Sequence, residues 1–297
     1  MQKKFSTIGI AAKTTQPIAH KLTRDLIDWI KDRGFSFLLD REIGTEIGLS
    51  KTNPELVVER NRLTTLCNPV VVLGGDGTLI SVSRHPSKSS PIIVGVNIGT
   101  LGFLTEITVE ELYPTLEKIL VGKGNIEKRP LLKVKVVRHN KEVNQYLAIN
   151  DVVITKQALA RIFGLHLSVD KQFAALIRGD GAIVATPVGS TAYSMAAGGS
   201  IVHPQVDALL VTPICPHSLT SRPLVLPASS DINLKVASPL TSYNDEVHLT
   251  IDGQEGMQLH ADDEVSVTTS EHSVFFAKSS SKSYFEILGT KLKWANH

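Results

Sequence analysis

A glycine-rich loop after a short apolar run is the segment of this sequence best suited to chemistry. Residues 70–73 are Val-Val-Val-Leu, and residues 74–78 are Gly-Gly-Asp-Gly-Thr. The apolar run is typical of a strand buried on both faces. Glycines let a backbone approach a ligand closely, and loops of this kind commonly present N–H groups to phosphates. The sequence therefore predicts a phosphate loop that consists of Gly74, Gly75, Gly77 and Thr78.

The acidic residue in this loop, Asp76, requires a separate explanation. Because a phosphate repels a carboxylate, an acid at this position suggests a proton acceptor for a hydroxyl group or a ligand for magnesium. The loop has no Gly-Lys-Ser/Thr ending, and Ile80 stands where the dinucleotide fingerprint has its third glycine. From the loop alone, a catalytic Asp76 and a tight turn with a solvated carboxylate are equal alternatives.

Two further pairs of polar residues lie in segments that are otherwise apolar or rich in glycine. Asn150 and Asp151 interrupt the apolar run at 147–154. Buried polar groups need partners, so this pair either caps a bulge or faces a ligand. Arg178 and Asp180 flank a glycine in a predicted tight turn. The residues alone favour a hairpin turn with a surface ion pair there over a binding site.

A segment of small and hydroxylated residues surrounds a single tyrosine. Residues 186–199 read Thr-Pro-Val-Gly-Ser-Thr-Ala-Tyr-Ser-Met-Ala-Ala-Gly-Gly. Backbone groups and hydroxyls of this kind suit hydrogen bonding to a base and a ribose, while Tyr193 can pack on a ring. A Ser/Thr-rich loop would explain the composition but not the tyrosine.

The elements that position these residues fall into two classes. Up to about residue 125, strands alternate with helices, which indicates a parallel sheet covered by helices. One of these helices is expected to be capped by Thr108 and Glu111 and to run to about Leu120. After Arg129-Pro130 the apolar period changes to two, which indicates an all-β domain of antiparallel sheets, with a hairpin turn at Asp170-Lys171.

The C-terminal tail is expected to return to the first domain. Tyr284, Leu288 and Leu292 share one face of a predicted helix, and such an apolar face needs a partner surface. The predicted domains are therefore residues 1–125 completed by 280–297, and residues 126–279.

Composition limits the function classes. The chain has 297 residues, enough for two domains, and 31 basic against 29 acidic residues without a long run of either sign. It therefore has no electrostatic footprint of a nucleic-acid or membrane-binding protein. We expect no signal peptide and no membrane span. Cys67 and Cys215 make no disulfide framework, so the expected location is the cytoplasm.

Taken together, these motifs resemble the NAD kinase family. The resemblance rests on Asp76 in Gly-Gly-Asp-Gly-Thr, the Asn150-Asp151 pair and the run at 186–194, in this order and spacing, and it covers nearly the whole chain. Gly-Gly-Asp-Gly alone is shared with diacylglycerol and sphingosine kinases, whereas Gly-Ser-Thr-Ala-Tyr-Ser is far more specific. The compact length resembles the bacterial, ATP-dependent type.

The resemblance implies a reaction and an architecture. It implies transfer of the γ-phosphate of ATP to the 2′-hydroxyl of the adenosine ribose of NAD, giving NADP, with a divalent cation (Mg²⁺ or Mn²⁺). It also implies an α/β domain completed by the C-terminal tail, a β-sandwich domain, a site between them and a homo-oligomer, either a dimer or a tetramer.

The resemblance also assigns site residues by position. Asp76 is expected to be the catalytic proton acceptor, and no metal ligand is assigned. The residues expected to bind NAD are Asp76, Gly77, Asn150, Asp151, Arg161, Arg178, Asp180, Thr191, Ala192, Tyr193, Ser194, Met195, Ala196 and Gln254. The sequence departs from the family pattern at Asp151, where glutamate is usual, at Ser81, where some members have a binding arginine, and at Val188, where threonine is common.

Two other functions are open alternatives. The first is a lipid or sugar kinase with the same glycine loop, which would have no use for Tyr193 and its flanking hydroxyls. The second is a dinucleotide sensor that binds without turnover. Asp76 argues against a sensor, because binding alone would favour a neutral residue beside phosphates.

Overall fold

The chain folds into two compact units. The computed structural model describes residues 7–85, 87, 90–156, 163–237 and 246–294. One unit comprises Met1–Arg129 and His272–His297, and the other comprises Pro130–Glu271. The first boundary lies at 129 where 125 is predicted, and the second lies at 272 where 280 is predicted.

The first unit is built on a parallel sheet with helices. Its strands are β1 (Thr7–Ala12), β2 (Ser36–Asp40), β3 (Val57–Val58), β4 (Val70–Gly74) and β5 (Ile92–Asn97). Its helices are α1 (Pro17–Asp32), α2 (Arg41–Glu46), α3 (Leu49–Thr52), α4 (Arg60–Leu66), α5 (Asp76–Ser83) and α6 (Leu112–Leu120), with a 3₁₀ turn at Pro54–Leu56. These five strands lie in the order β5-β4-β1-β2-β3, and every neighbouring pair is parallel.

Burial explains the regular elements of this unit. Val70 to Leu73 in β4 are completely buried, as expected for a central parallel strand covered on both faces. Helix α1 begins with Pro17 and buries Leu22, Leu26 and Ile30, which lie on one face at helical spacing.

The second unit contains the remaining strands. They are β6 (Ile126–Arg138), β7 (Lys141–Ala148), β8 (Asp151–Lys156), β9 (Phe163–Val169), β10 (Gln172–Gly179), β11 (Gly181–Ala185), β12 (Ala208–Ile214), β13 (Leu224–Pro227), β14 (Ile232–Val236), β15 (Val247–Ile251), β16 (Glu255–Leu259) and β17 (Glu264–Ala277). A 3₁₀ turn at Val188–Thr191 and helix α7 (Tyr193–Ala196) follow β11. Strands β6 and β17 continue across the unit boundary.

These strands form a sandwich of antiparallel sheets. One sheet has the order β13-β12-β11-β8-β15-β16, and the other contains β10-β9-β14-β17 with the β6-β7 hairpin. Alternate side chains of both sheets, such as Leu165, Val184 and Leu234, form one apolar core. The predicted combination of an α/β domain and an all-β sandwich is therefore confirmed.

The C-terminal tail returns to the first unit, as predicted. The end of β17 pairs in parallel with β5 through Phe275 and Phe276, and helix α8 (Tyr284–Leu292) follows. A capping box starts this helix, since Ser283 and Glu286 each accept a hydrogen bond from the other's backbone N–H.

The apolar face of α8 differs in detail from the predicted face. Leu288 is buried, whereas Tyr284 and Leu292 are only half-buried. Ile287, which was not predicted to belong to this face, is fully buried. The buried face of the helix therefore includes Ile287 and Leu288, and the predicted Tyr284 and Leu292 lie at its margins.

Three local expectations have different outcomes. The hairpin turn at Asp170-Lys171 is confirmed, with a positive φ at both residues. The helix expected to start after Thr108 begins at Leu112 instead, although the Thr108 N–H donates to the Glu111 carboxylate at 3.1 Å, which is half of the predicted capping box. Among the described residues, no helix has the length and apolar character needed to cross a bilayer.

Candidate functional site

Asp76 lies at the junction of a buried strand and a helix. Strand β4 ends at Gly74, Gly75 caps α5, and Asp76 is the first residue of that helix. Since β4 and β5 are parallel and Gly74 is in register with Asn97, the loops that follow both strands emerge at the same edge of the sheet. This edge, at the carboxyl ends of parallel strands, is where such folds bind ligands.

The Asp76 carboxylate is held by the loop that follows β5. Its Oδ1 accepts hydrogen bonds from the Leu104 N–H at 3.1 Å, the Thr105 N–H at 2.9 Å and the Thr105 hydroxyl at 2.9 Å. Among the described residues, its Oδ2 accepts one hydrogen bond, from the Phe103 N–H at 2.8 Å. A carboxylate has about two acceptor sites on each oxygen. Oδ1 is therefore saturated, and Oδ2 keeps an acceptor site for a further proton donor.

Close packing around this carboxylate requires glycine at position 102. A Cβ atom there would lie 2.0 Å from Asp76 Oδ1 and 2.3 Å from Thr105 Oγ1. Gly74, at the end of β4, is also restricted, because its Cβ would lie 2.7 Å from the Thr78 hydroxyl. Glycine at 102 thus allows the loop at 74–78 and the loop after β5 to pack together, and glycine at 74 leaves room for the Thr78 side chain.

The second unit contains the Asn150-Asp151 pair, which lies between two strands. Strand β7 ends at Ala148 and β8 begins at Asp151, so the predicted continuous strand is broken at this pair. The carboxylate of Asp252 holds the break: it accepts the backbone N–H groups of Ile149, Asn150 and Asp151 at 2.9, 2.7 and 3.1 Å.

The segment at 186–199, which contains Tyr193, packs against the Asn150-Asp151 pair. The Thr186 hydroxyl donates to the Ile149 carbonyl at 2.6 Å, and the Thr186 N–H donates to the Asn150 carbonyl at 2.9 Å. Gly189 lies so close to Asn150 that a Cβ would be 2.1 Å from its carbonyl oxygen. The second unit therefore brings together two segments that are separated by more than thirty residues in sequence.

Asp151 is a buried carboxyl group with a raised pKa. Its exposed fraction is 4%. Burial, and secondarily the charge of Asp252, raise the pKa of Asp151 to about 7, while a hydrogen bond from the Tyr193 N–H lowers it. Asp151 can therefore exchange a proton near neutral pH, and in its protonated form it can donate a hydrogen bond.

Side chains of the tyrosine segment differ in what they can offer a ligand. The Tyr193 ring is 45% exposed. The Ser194 hydroxyl, in contrast, is buried and shares a hydrogen bond with Thr212 at 2.9 Å. Gln254 is exposed, two residues after Asp252. A ligand at this segment would meet the tyrosine ring and backbone groups, but not the Ser194 hydroxyl.

Two predicted residues lie elsewhere, and a third is not described. Arg178 is the penultimate residue of β10, and Asp180 lies between β10 and β11. Because Gly181 is in register with Thr155, this turn lies at the far end of β8, about 14 Å from Asp151 at ~3.4 Å per residue. They do not form the expected surface pair in a hairpin turn. Their turn connects strands of different sheets, and Asp180 instead lies 3.4 Å from the Lys156 ammonium. Arg161 lies outside the described residues.

The structure also shows residues that the sequence analysis did not assign. Thr105 and Asn97 belong to the loop that holds Asp76, and Asp252 belongs to the turn that holds Asn150. The available signal was the second glycine loop at 97–104 and the Asp-Gly-Gln sequence that ends at Gln254. Among the described residues, no three His, Cys, Asp or Glu side chains form a cluster suited to a metal ion.

Comparison of the fold with solved structures gives two strong similarities. The yeast NADH kinase complexed with NADH superposes with a TM-score of 0.88 at 24% identity and covers 100% of this chain and 89% of its own. An NAD kinase from Archaeoglobus fulgidus in complex with ATP has a TM-score of 0.74 at 22% identity and covers 97% and 98%. At these identities the similarity shows a shared fold.

Sequence comparison gives matches along almost the whole chain. The ATP-NAD kinase N-terminal domain matches residues 8–124, and the ATP-NAD kinase C-terminal domain matches residues 149–279. The NAD kinases of Geotalea daltonii and Trichlorobacter lovleyi are 42% and 44% identical over 287 residues, 97% of this chain and 98% of each relative. With both domains matched in order and relatives of this identity aligned from end to end, the chain belongs to the NAD kinase family.

Proposed function

We propose that this chain transfers the γ-phosphoryl group of ATP to the 2′-hydroxyl of the adenosine ribose of NAD, with Asp76 as the general base. One observation carries the assignment of the base: the loop after β5 saturates Oδ1 of Asp76 and leaves an acceptor site on Oδ2. A carboxylate that served only to stabilise this turn would not need an open oxygen beside a helix N-terminus.

In the proposed step, the ribose 2′-hydroxyl gives its proton to Asp76 Oδ2. The ribose oxygen then forms a bond with the γ-phosphorus, and the bond from that phosphorus to the bridging oxygen breaks. ADP leaves with the electron pair. A ribose hydroxyl is a weak acid, so a carboxylate within hydrogen-bond reach lowers the barrier to the attack.

A divalent cation is proposed to enter with ATP. Magnesium in kinases is typically held by one or two carboxylates together with the phosphates of the nucleotide. The remaining acceptor site on Asp76 Oδ2 is used by the ribose proton in this proposal, so no protein ligand for the ion is assigned. When bound, such an ion neutralises the charge that develops on the transferred phosphoryl group.

The proposed dinucleotide contacts include the residues that the second unit brings together. These are Asn150, Asp151, the segment 191–196 and Gln254, and we add Gly77 beside Asp76 in the first unit. The exposed ring of Tyr193 supports stacking on a base or a nicotinamide, and the raised pKa of Asp151 supports hydrogen bonding as a donor near pH 7.

Arg178 and Asp180 are proposed to contact the dinucleotide from a second copy of the chain. The proposal is supported by their position, since they lie at the far end of β8 from Asp151 within one chain. It also gives a reason for a homo-oligomer, either a dimer or a tetramer. Sedimentation of the protein tests the homo-oligomer. The Michaelis constant of Arg178→Ala for NAD tests the contact with the dinucleotide.

A cytoplasmic location is also proposed. It is supported by the two cysteines, which are both free, Cys67 buried and Cys215 exposed. An exposed free thiol suits a reducing compartment. Fractionation of cells that produce the full chain tests this.

The Asp76→Asn variant tests the proposed function. Asparagine keeps the volume of the side chain but cannot accept the proton. Its Nδ2 also cannot accept the Phe103 N–H, so the melting temperature of the variant is recorded as well. We expect NADP formation from NAD, ATP and magnesium to fall by ~10²–10⁴-fold. NAD affinity measured by calorimetry should be unchanged or slightly improved, because a negative charge beside the phosphates is removed.

Two results would contradict this assignment. Parallel loss of NAD binding and of activity would make Asp76 a binding or folding residue. Full activity of the variant would mean that the proton leaves by another route.

A further inference from the structure

We infer that Thr105, supported by Asn97, is a positioning residue that orients the Asp76 carboxylate so that Oδ2 is the oxygen that takes the ribose proton. The inference rests on the proposed function and adds to it the residues that orient the Asp76 carboxylate. Neither Thr105 nor Asn97 is among the residues that the resemblance assigns to the site.

A directed chain of hydrogen bonds links the three side chains. The Asn97 amide Nδ2 donates to Thr105 Oγ1 at 3.2 Å, and the Thr105 hydroxyl donates to Asp76 Oδ1 at 2.9 Å. Because the amide group is a donor to this hydroxyl, the hydroxyl hydrogen is directed to the carboxylate. Donation to an ionised acceptor makes this the stronger type of hydrogen bond.

The orientation of Asn97 is itself determined by its neighbours. Its Oδ1 accepts the Gly99 N–H at 2.9 Å, and its Nδ2 also donates to the Thr100 carbonyl at 2.7 Å. If the Asn97 amide were flipped, its oxygen would face the Thr100 carbonyl and its NH₂ group would face the Gly99 N–H. The two backbone contacts therefore fix Asn97 as the donor to Thr105.

Burial shields these hydrogen bonds from exchange with water. Thr105 is fully buried and Asn97 is 9% exposed. Asn97 is also anchored at its backbone, because its N–H donates to the Ile107 carbonyl at 2.8 Å. The loop 97–105 is thus closed at both ends and presents the hydroxyl at a fixed position.

The consequence concerns rotation of the carboxylate. With the Thr105 hydroxyl present, three donors hold Oδ1 and one holds Oδ2, so the two oxygens are not equivalent. A half-turn about Cβ–Cγ would only exchange two identical oxygens, so the relevant motion is a partial rotation. Without the hydroxyl, two donors instead of three hold Oδ1, and partial rotation that displaces the other oxygen is less strongly opposed. The base would then be misaligned for transfer of the 2′-hydroxyl proton to Oδ2 while the ribose oxygen attacks the γ-phosphorus and ADP leaves.

Thr105→Val, which replaces the hydroxyl with a methyl group of similar size, tests the inference. We expect kcat to fall by about 10²-fold, because misplacement of a catalytic group commonly costs that much. The Michaelis constants for NAD and ATP should stay within about twofold, since the lost interaction acts in the transition state. Thr105→Ser, which retains the hydroxyl, should recover most of kcat.

Thr23→Val is the matched control. Thr23 is also a fully buried threonine of the first unit, and its hydroxyl bonds only to the Ala19 carbonyl within α1. The Thr23→Val variant should lose about as much stability as Thr105→Val, without loss of kcat. The melting temperature of each variant is recorded, and Thr105→Ala replaces Thr105→Val if valine prevents folding.

The outcomes separate the inference from the proposed function. A wild-type protein that forms no NADP would refute the proposed function and the inference with it. An active wild type with unchanged kcat in Thr105→Val would refute the inference alone. So would equal losses in Thr105→Val and Thr105→Ser, or a parallel change of kcat and Michaelis constants, because these would indicate a structural role.

Discussion

At the scale of single residues, the carboxyl groups of Asp76 in the first unit and Asp151 in the second unit are held in opposite ways. Asp76 is half-exposed, and four donors surround its carboxylate. Asp151 is buried beside a second carboxylate, Asp252, and one backbone N–H donates to it. Burial and a like charge favour the neutral form of Asp151. The two carboxyl groups therefore lie in different environments.

The raised pKa of Asp151 predicts a pH-dependent stability. The pKa is about 7 in the folded chain and ~3.9 when unfolded, so the folded state binds more protons between these values. Stability must therefore fall as the pH rises from about 4 to about 7, and the full cost is present above 7. Asp151→Asn, which cannot ionise, should be more stable than wild type at pH 8, by as much as about 4 kcal/mol at ~1.4 kcal/mol per pKa unit.

Urea denaturation of both proteins at pH 4.5 and pH 8 checks this prediction. Asparagine retains an oxygen that can accept the Tyr193 N–H, so the variant isolates the ionisation. The difference between the two proteins should be small at pH 4.5. A difference that is the same at both pH values would show that Asp151 does not titrate in this range.

At the scale of elements, the returning tail contacts the loop that holds Asp76. Lys278 follows β17 directly, and its ammonium pairs with Glu106 and lies 3.3 Å from Glu127. Glu106 follows Thr105 in sequence, and it is 5% exposed. Further along the tail, the Lys291 ammonium lies 5.5 Å from the centroid of the Phe103 ring. The tail therefore stabilises the segment that holds Asp76.

Removal of Lys278 should destabilise the first unit. Burial raises the pKa of Glu106, and Lys278 opposes this shift, so Lys278→Met leaves a buried acid without its main cation. We expect a loss of about 3–5 kcal/mol in the free energy of unfolding, measured in urea at pH 7.5.

The double variant Lys278→Met with Glu106→Gln provides the control. Glutamine removes the uncompensated charge, so part of the lost stability should return. Without any recovery in the double variant, the loss would have to come from packing of the lysine stem and not from the ion pair.

At the scale of the whole molecule, the two units differ in how the chain builds them. The second unit is one continuous segment, Pro130–Glu271, whereas the first needs the distant segment His272–His297. Ile287 and Leu288 of α8 are buried, and full burial contributes about 1.5–3 kcal/mol for each such side chain. Pairing of β17 with β5 adds hydrogen bonds to the edge of the parallel sheet.

This difference predicts the behaviour of fragments. Residues 130–271 expressed alone should unfold cooperatively in urea, because their apolar core lies within the segment. Residues 1–129 alone should be insoluble or lack a cooperative transition. Addition of residues 272–297 to the 1–129 fragment through a Gly/Ser linker should restore a cooperative transition. Equal stability of the first fragment with and without the tail would contradict the role of α8.

The sequence by itself determined the elements and the motifs whose cause is local. The buried strand at 70–73, the glycine loop with Asp76 and the strand alternation after Arg129 follow from periodicity and backbone freedom, which neighbouring residues decide. The same is true of the Asp170-Lys171 turn. The family resemblance, read from three motifs, was confirmed by the matches to both domains.

Only the tertiary structure decided how distant residues act on these motifs. No local pattern shows that Thr105 donates to Asp76 or that Asp252 holds Asn150, because these contacts join residues 29 and 102 positions apart. The raised pKa of Asp151 likewise depends on burial and on the charge of a distant acid. Arg178 and Asp180 were assigned to the same site as Asp151, yet the register of β11 with β8 places their turn at the opposite end of β8. Sequence spacing therefore identified the chemical groups, and packing determined their orientation and charge.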